Sequence, residues 1–138
     1  MASPNPFVQY DGPAADLEIG TASVGEAVAC SFVGNLHLDN EAQAGRALGE
    51  ALARCPTVLA VDLSAVRMFT SSGLNALLVA RRAADADGVP LVLVAPSRSV
   101  RHVLQITDAH RVFPIFPTVE QALDRQNASP SPDGASGV

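Results

Sequence analysis

The stretch VLAVDLSAVRMFTSSGLNALLVARRAADADGVPLVLV, residues 58–94, decides the fold class of this chain. It opens on a continuous apolar run that is typical of a strand flanked by neighbours, and it ends on a second such run at 91–94. Between the two runs, Leu74, Leu77 and Leu78 recur at helical spacing. A strand, a helix and a strand in this order predict two parallel strands joined by a right-handed crossover.

The residues before this unit predict a hairpin and a first helix. The segments DLEIGTA, 16–22, and AVACSFVGNL, 27–36, are strand-like and are joined by the turn SVGE, a combination typical of a β-hairpin. Apolar residues then follow one helical stripe: Ala44, Ala47, Leu48, Ala51 and Leu52.

The residues after it predict a third helix, a short edge strand and a last helix. Val100, Val103 and Leu104 share one helical face. Pro114 lies in the run VFPIF and indicates an edge strand, because proline cannot donate to a β-ladder. Thr118 begins a final helix with a capping-box pattern. The sequence therefore predicts an α/β domain with a mixed, mostly parallel sheet of about five strands and about four α-helices, in the order β-β-α-β-α-β-α-β-α.

The termini differ in composition from this core. We expect a flexible N-terminal arm at residues 1–14, one folded domain at 15–127 and a disordered, Pro- and Ser-rich tail at 128–138. No apolar run approaches the roughly 20 residues of a membrane span, and the N-terminus has no signal-peptide pattern. We therefore expect a cytoplasmic domain with no membrane partner.

Charge and composition narrow the function classes. The net charge of −5 argues against a nucleic-acid partner. All nine basic residues are Arg, so lysine-dependent phosphate loops and Schiff bases are excluded. The histidines and carboxylates show no metal-ligand spacing, and no nucleophile–base motif is present. These patterns favour a binding protein without a cofactor over an enzyme. Cys30 alternates with apolar residues and is interpreted as a buried structural thiol.

The junction MFTSSGLNALL, 68–78, allows three interpretations. With the strand expected to end near Leu63 and the helix to begin near Ser72, Ser71 or Ser72 could be the plain N-cap of that helix. The open N–H groups of the helix start could also cradle an anion, with Gly73 leaving room for it. A phosphate could equally be attached covalently to a serine here. Met68 and Phe69, taken as an exposed apolar pair, indicate a contact surface.

At these residues the sequence resembles the STAS domain, the family named for sulfate transporters and anti-sigma-factor antagonists. The likeness spans roughly 15–126. Its strongest part is the stretch 58–94, which resembles the family's strand, Asp-Leu-Ser, loop, Asp-Ser-Ser-Gly-Leu, helix and next strand. VGNLHLDN resembles the family's Gly-x-Leu-Asp segment, and VRHVLQITDAHRVFPIFPTVEQAL resembles its closing helix, strand and helix.

The resemblance implies a protein-binding switch of the antagonist branch. In such proteins the serine that falls on Ser71 is phosphorylated by an anti-sigma factor with a histidine-kinase-like ATPase fold. A PP2C-type phosphatase reverses the modification. The unphosphorylated antagonist binds the anti-sigma factor and frees the sigma factor. The residues carried over as the partner-binding surface are His37, Met68, Phe69, Thr70, Ser71, Ser72, Gly73 and Asn75.

Two positions depart from the family pattern. The acid before the serines is Thr70 here, and the acid of Gly-x-Leu-Asp is His37. Thr70 and Ser72 are therefore alternative phosphoacceptors to Ser71. A second hypothesis is a constitutive scaffold or accessory subunit of a signalling or lipid-transport assembly, in which the Ser-Ser-Gly is only a cap. A third is a small-molecule or nucleotide binder that uses the helix N-terminus as an anion site.

Overall fold

The computed structural model describes residues 16–128, which form one five-stranded sheet and four α-helices. Two short 3₁₀ turns, Leu38–Asn40 and Ala109–Arg111, lie before α1 and after α3. The strands are β1 Leu17–Val24, β2 Ala27–Leu36, β3 Leu59–Phe69, β4 Leu91–Val94 and β5 Ile115–Phe116. The helices are α1 Glu41–Leu52, α2 Ser71–Ala86, α3 Arg98–Ile106 and α4 Val119–Ala128.

The strand order in the sheet is β1-β2-β3-β4-β5. β1 pairs antiparallel with β2 through a two-residue turn in which Gly25 has a φ of 62°. The other three pairings are parallel. The predicted α/β fold with an antiparallel hairpin at one edge is therefore confirmed, and β5 with its preceding Pro114 is the other edge.

The sheet packs helices on both faces, and alternate residues of β3 point to each. Leu59, Val61 and Leu63 belong to the larger apolar cluster, together with residues of α1, α2 and α3. Ala60 points to the opposite face, where Ala122 of α4 completes a smaller cluster. This alternation follows from the two-residue period of a strand. It makes β3 the central element from which the α2 junction extends.

The end of β3 differs from the sequence prediction, which placed it near Leu63. The strand continues to Phe69, because β2 pairs with it as far as Leu36 and Phe69. The register shifts twice along this pairing, so the buried residues after Leu63 come at every third position, Val66 and Phe69, instead of every second. The exposed residues between them gave this part of the strand the pattern of a polar loop.

The domain boundaries stay a prediction at both ends. The arm predicted at 1–14 lies outside the described residues, and so does the tail from 129 onward. α4 extends to Ala128, and the Thr118 hydroxyl accepts a hydrogen bond from the Gln121 N–H at 3.0 Å, as expected for its cap. Within residues 16–128, no helix has both the length and the apolar character needed to cross a bilayer.

Candidate functional site

Ser71 lies at the carboxyl edge of the central strand, where β3 passes directly into α2. Thr70 is the extended residue between the two elements, and its N–H donates to the Leu36 carbonyl at 3.2 Å. The first helical bond runs from the Leu74 N–H to the Thr70 carbonyl at 3.1 Å. Ser71 is thus the first helical residue, and its side chain is exposed. Sites of α/β sheets form at this edge.

The prediction that Ser71 or Ser72 caps α2 is wrong. The N-cap is Thr70, because β3 is longer and the helix begins earlier than the pattern indicated. The Thr70 side chain makes no capping bond to the helix; its hydroxyl points towards the Leu36 carbonyl at 3.5 Å. The first-turn N–H groups of a helix have no intrahelical acceptor. With no side-chain cap, this helix start is open to an anion.

The expectation that Phe69 is exposed is also wrong. Its side chain is 5% exposed and packs in the core beneath the junction, whereas Met68 is 44% exposed as predicted. Phe69 points inward because it continues the buried face of β3. Gly73 is buried as well, and a Cβ there would lie 2.9 Å from both Leu36 Cγ and Phe69 Cε1. Its missing side chain makes room for the core, not for an external anion.

The remaining predicted residues converge on one surface. The pairing of Leu36 with Phe69 places His37, the next residue, beside Thr70 at the same sheet edge. Ser71 and Asn75 are exposed on consecutive turns of α2. We call this the Ser71 surface. Its exposed side chains are Met68, Ser71 and Asn75, and its half-buried side chains are His37, Thr70 and Ser72.

His37 is held at this edge by both of its ring nitrogens. Its Nδ1 accepts the Asp39 N–H at 3.2 Å and so caps the 3₁₀ turn. Its Nε2 lies 2.5 Å from Oδ2 of Asp16 at the start of β1. Asn35 Nδ2 donates to the other carboxylate oxygen of Asp16 at 2.8 Å. A carboxylate thus lies beside His37, the residue that replaces the acid of the family's Gly-x-Leu-Asp segment.

The environment of Asp16 favours its charged form. The hydrogen bond from Asn35 and then that from His37 lower the pKa of this carboxyl below its ordinary value, and the positive charge of Arg67 acts in the same direction. Asp16 is therefore an ionised group at neutral pH. Its side chain remains 51% exposed.

Asn40 is the buried polar residue that fixes this edge. Its side chain donates to the Asn35 carbonyl at 2.8 Å and accepts the His37 N–H at 2.9 Å. The two bonds satisfy backbone groups at the point where β2 turns into α1.

Glu41, the first residue of α1, links that helix to α2. Its Oε2 accepts from Asn75 Nδ2 at 2.7 Å. Beside this bond, an apolar crevice of about 390 Å³ runs between the two helices. Leu38 and Val79 line it and are 72% and 51% exposed. The crevice adjoins the Ser71 surface.

Asp16, Asn40 and Glu41 were missed in the sequence. The hairpin carried a signal for the first of them, because counting back from its two-residue turn pairs Leu17 with Gly34 and so brings Asp16 close to Asn35, two residues before His37. Asn40 and Glu41 had no comparable signal, since their partners depend on how the helices dock. Within residues 16–128, no three His, Cys, Asp or Glu side chains converge as a metal site.

The sequence profile of the STAS domain matches residues 20–122. The chain belongs to the STAS domain family. This result confirms the resemblance whose strongest part is the stretch 58–94.

Relatives of this STAS domain are anti-sigma factor antagonists. The anti-sigma-F factor antagonist RsfB of Mycobacterium tuberculosis is 32% identical over 93 residues, which cover 67% of this chain and 75% of that protein. The crystal structure of an anti-sigma factor antagonist from Mycobacterium paratuberculosis has a TM-score of 0.70 and 25% identity, covering 83% of this chain and 97% of that one.

The Bacillus protein SpoIIAA shares the fold in two forms. Its unphosphorylated form has a TM-score of 0.70 and 22% identity, covering 83% of this chain and 100% of that chain. Its phosphorylated form has a TM-score of 0.62 and 23% identity, covering 78% and 98%. The SpoIIAA structures show the shared fold, and the relation to the anti-sigma factor antagonists rests on RsfB.

Proposed function

We propose that this STAS domain is a cytoplasmic antagonist that docks its Ser71 surface on an anti-sigma factor and is released when Ser71 is phosphorylated. The partner is an anti-sigma factor with a histidine-kinase-like ATPase fold, which is also the kinase. A PP2C-type phosphatase restores the binding form. The observation that carries the proposal is the exposed Ser71 hydroxyl at the uncapped N-terminus of α2.

The surface around Ser71 has the character of a protein contact. Met68 supplies exposed apolar area, and the crevice lined by Leu38 and Val79 extends that area along α1 and α2. Exposed apolar patches rimmed by polar groups mark protein interaction sites. Asn75 and His37 supply the polar rim. A kinase that docks here also has direct access to the hydroxyl.

Phosphorylation of Ser71 is compatible with the fold. A phosphate adds about −1.5 to −2 charge, and a helix N-terminus stabilises negative charge. The folded domain therefore tolerates the modification, whereas a docked partner must desolvate it. A penalty of about 3 kcal/mol would weaken binding more than a hundredfold, since about 1.4 kcal/mol is a factor of ten. The switch needs no rearrangement of the core.

The relatives support the choice of partner and of modification. RsfB is named an antagonist of an anti-sigma-F factor, and SpoIIAA has been solved with and without its phosphate. Ser71 is preferred to Ser72 as the acceptor because Ser71 is exposed and Ser72 is half-buried. Thr70 is also half-buried and hydrogen-bonded to β2 through its backbone.

The proposal is tested with the ATPase-fold anti-sigma factors of the organism that encodes this chain, each purified separately. We expect the native protein and Ser71→Ala to bind one of them with similar affinity in calorimetry. Ser71→Asp should weaken that binding about a hundredfold or more. Incubation with the same partner and ATP should add about 80 Da to the native protein and nothing to Ser71→Ala.

Ser72→Asp is the matched control, because it adds the same charge one residue further along α2. It should retain more affinity than Ser71→Asp. Equal binding by native protein, Ser71→Ala and Ser71→Asp, with no mass change, would instead identify a constitutive scaffold. Failure of every anti-sigma factor to bind would overturn the proposed function as a whole.

A further inference from the structure

Asp16 contacts the junction of β2 with the 3₁₀ turn Leu38–Asn40, and three neighbouring groups orient it. Its backbone carbonyl accepts the Asn35 N–H at 3.0 Å, and its side chain contacts Asn35 and His37 at 2.8 and 2.5 Å. Each carboxylate oxygen can accept a further hydrogen bond. The group is therefore both fixed in direction and half open to solvent.

His37 orients the Asp16 carboxylate through a hydrogen bond. Because Nδ1 accepts the Asp39 N–H, the ring donor is Nε2, the atom that faces Asp16. The negative charge that this edge presents is that of the Asp16 carboxylate, whose pKa is lowered by its hydrogen bonds.

We propose that Asp16 is a specificity-determining residue of the Ser71 surface. Its oriented carboxylate binds an arginine side chain of the docking partner. This inference rests on the proposed function. A guanidinium donates two parallel N–H bonds to a carboxylate, so it uses the two lone pairs that Asn35 and His37 leave free. Leu36, which precedes His37, is bonded to Thr70, so the carboxylate flanks the phosphoacceptor.

The position of Asp16 is secured by its backbone. The Asn35 N–H bonds its carbonyl, and the adjacent Leu17 is buried and pairs with Gly34 in the β1–β2 ladder. Asp16→Asn has the same shape and still offers an oxygen to Asn35 or His37. The substitution therefore removes the charge while leaving the hairpin in place.

The test compares affinities for the anti-sigma factor that the native protein binds. Asp16→Asn should weaken binding about tenfold or more, because a charge-assisted bond is lost. Asp39→Asn is the matched control, since it removes the same charge from an exposed residue two positions from His37. It should change affinity less than about threefold, as expected for an exposed rim charge. Equal losses in the two variants would mean a general charge effect and overturn the inference.

A second substitution that restores a carboxylate distinguishes a loss of partner recognition from a loss of folding. In Asp16→Asn combined with His37→Asp, the carboxylate returns to the same edge from the neighbouring strand, and binding should recover at least half of the lost factor on a logarithmic scale. A double variant as weak as Asp16→Asn, with an unchanged amide spectrum, would contradict the proposal.

A second measurement requires no partner and so separates this inference from the proposed function. In an NMR titration of the Asp16 side-chain carbon, Ser71→Glu should raise the Asp16 pKa relative to Ser71→Gln at low salt, because a like charge at the same sheet edge disfavours the ionised carboxylate. Identical titrations would show that the carboxylate is not beside Ser71 and would overturn the inference. If no anti-sigma factor binds but the titrations differ, the proposed function fails while the position of the carboxylate beside Ser71 stands.

Discussion

At the scale of single residues, Gly73 connects the Ser71 surface to the core. Leu36 and Phe69 fill the space that a side chain at this position would need. Both belong to the large apolar cluster, and Phe69 is the last residue of β3. Gly73 thus fixes how closely the first turn of α2 approaches the sheet, and with it the position of the Ser71 hydroxyl.

Gly73→Ala should destabilise the domain. The new methyl group would lie 2.9 Å from Leu36 Cγ and from Phe69 Cε1, and overpacking of this kind costs about 1–3 kcal/mol. The higher helix propensity of Ala returns about 1 kcal/mol. We expect a net loss of about 1 kcal/mol, measured as a lower urea midpoint with an unchanged slope.

Gly45→Ala in α1 is the control for that measurement. No atom lies within 4 Å of a Cβ at Gly45, so only the propensity term remains. This variant should gain up to about 1 kcal/mol of stability. A stability gain in both variants would mean that Gly73 has no packing role.

At the scale of elements, the turn from β2 into α1 depends on Asn40. Its side chain satisfies the Asn35 carbonyl and the His37 N–H, and it is only 6% exposed. A buried backbone group that loses its partner costs about 1–3 kcal/mol. The same turn carries His37 and Leu38, so its order determines the shape of the surface beside Ser71.

Asn40→Ala should lower the free energy of unfolding by about 2 kcal/mol or more, since it leaves two backbone groups without partners. Asn40→Asp keeps an acceptor for the His37 N–H and should lose less. Asn75→Ala is the exposed comparison; it breaks one bond to Glu41 and should cost less than about 1 kcal/mol. A loss no larger in Asn40→Ala than in Asn75→Ala would contradict this role.

The helices and strands were predictable from the sequence where the apolar residues follow one regular pattern along the whole element. The stripes of α1 and α2 were recognisable because burial on one face imposes the helical period, and the apolar runs of β3 and β4 were recognisable because these strands are buried on both faces. The end of β3 was not predictable, since its register with β2 shifts twice and breaks the alternation. The side-chain capping expected of Ser71 or Ser72 failed for the same reason.

The site was predictable only in part. Ser71, Asn75 and Met68 are near one another along the chain, and the STAS resemblance assigned all three to the partner-binding surface. Asp16 is 55 positions away from Ser71, and only pairing along the hairpin brings it to the same edge. Long-range contacts of this kind depend on the register of the strand pairing, because a slip of one residue would turn every side chain to the opposite face of the sheet.

At the scale of the whole molecule, Cys30 reports on the integrity of the sheet. It lies in β2, opposite Thr21 of β1 and Val61 of β3, and it is fully buried. This confirms the interpretation of Cys30 as a structural thiol. Cys55, in contrast, is exposed. Access to Cys30 requires separation of β2 from a neighbouring strand, so its reactivity should follow opening of the whole domain.

We expect a thiol reagent to modify Cys55 rapidly and Cys30 at least about a thousandfold more slowly, in proportion to the unfolded fraction. Urea should accelerate the Cys30 reaction with the slope of global unfolding. Cys55→Ser isolates the slow reaction, and Cys30→Ala isolates the fast one. A Cys30 rate that is insensitive to urea would indicate local fraying of β1 instead.

The same thiol gives the stability of the domain a pH dependence with a definite sign. Burial raises the pKa of Cys30 above its ordinary value, against smaller opposing effects of Thr21 and Arg54. In the unfolded chain the thiol ionises first, at about 8.5. The contribution of Cys30 is therefore complete below that pH and decreases as the pH rises towards the folded-state pKa. Urea midpoints between pH 7 and 10 should fall more steeply for the native protein than for Cys30→Ala, whereas parallel curves would mean that the thiol ionises as readily in the folded sheet as in the unfolded chain.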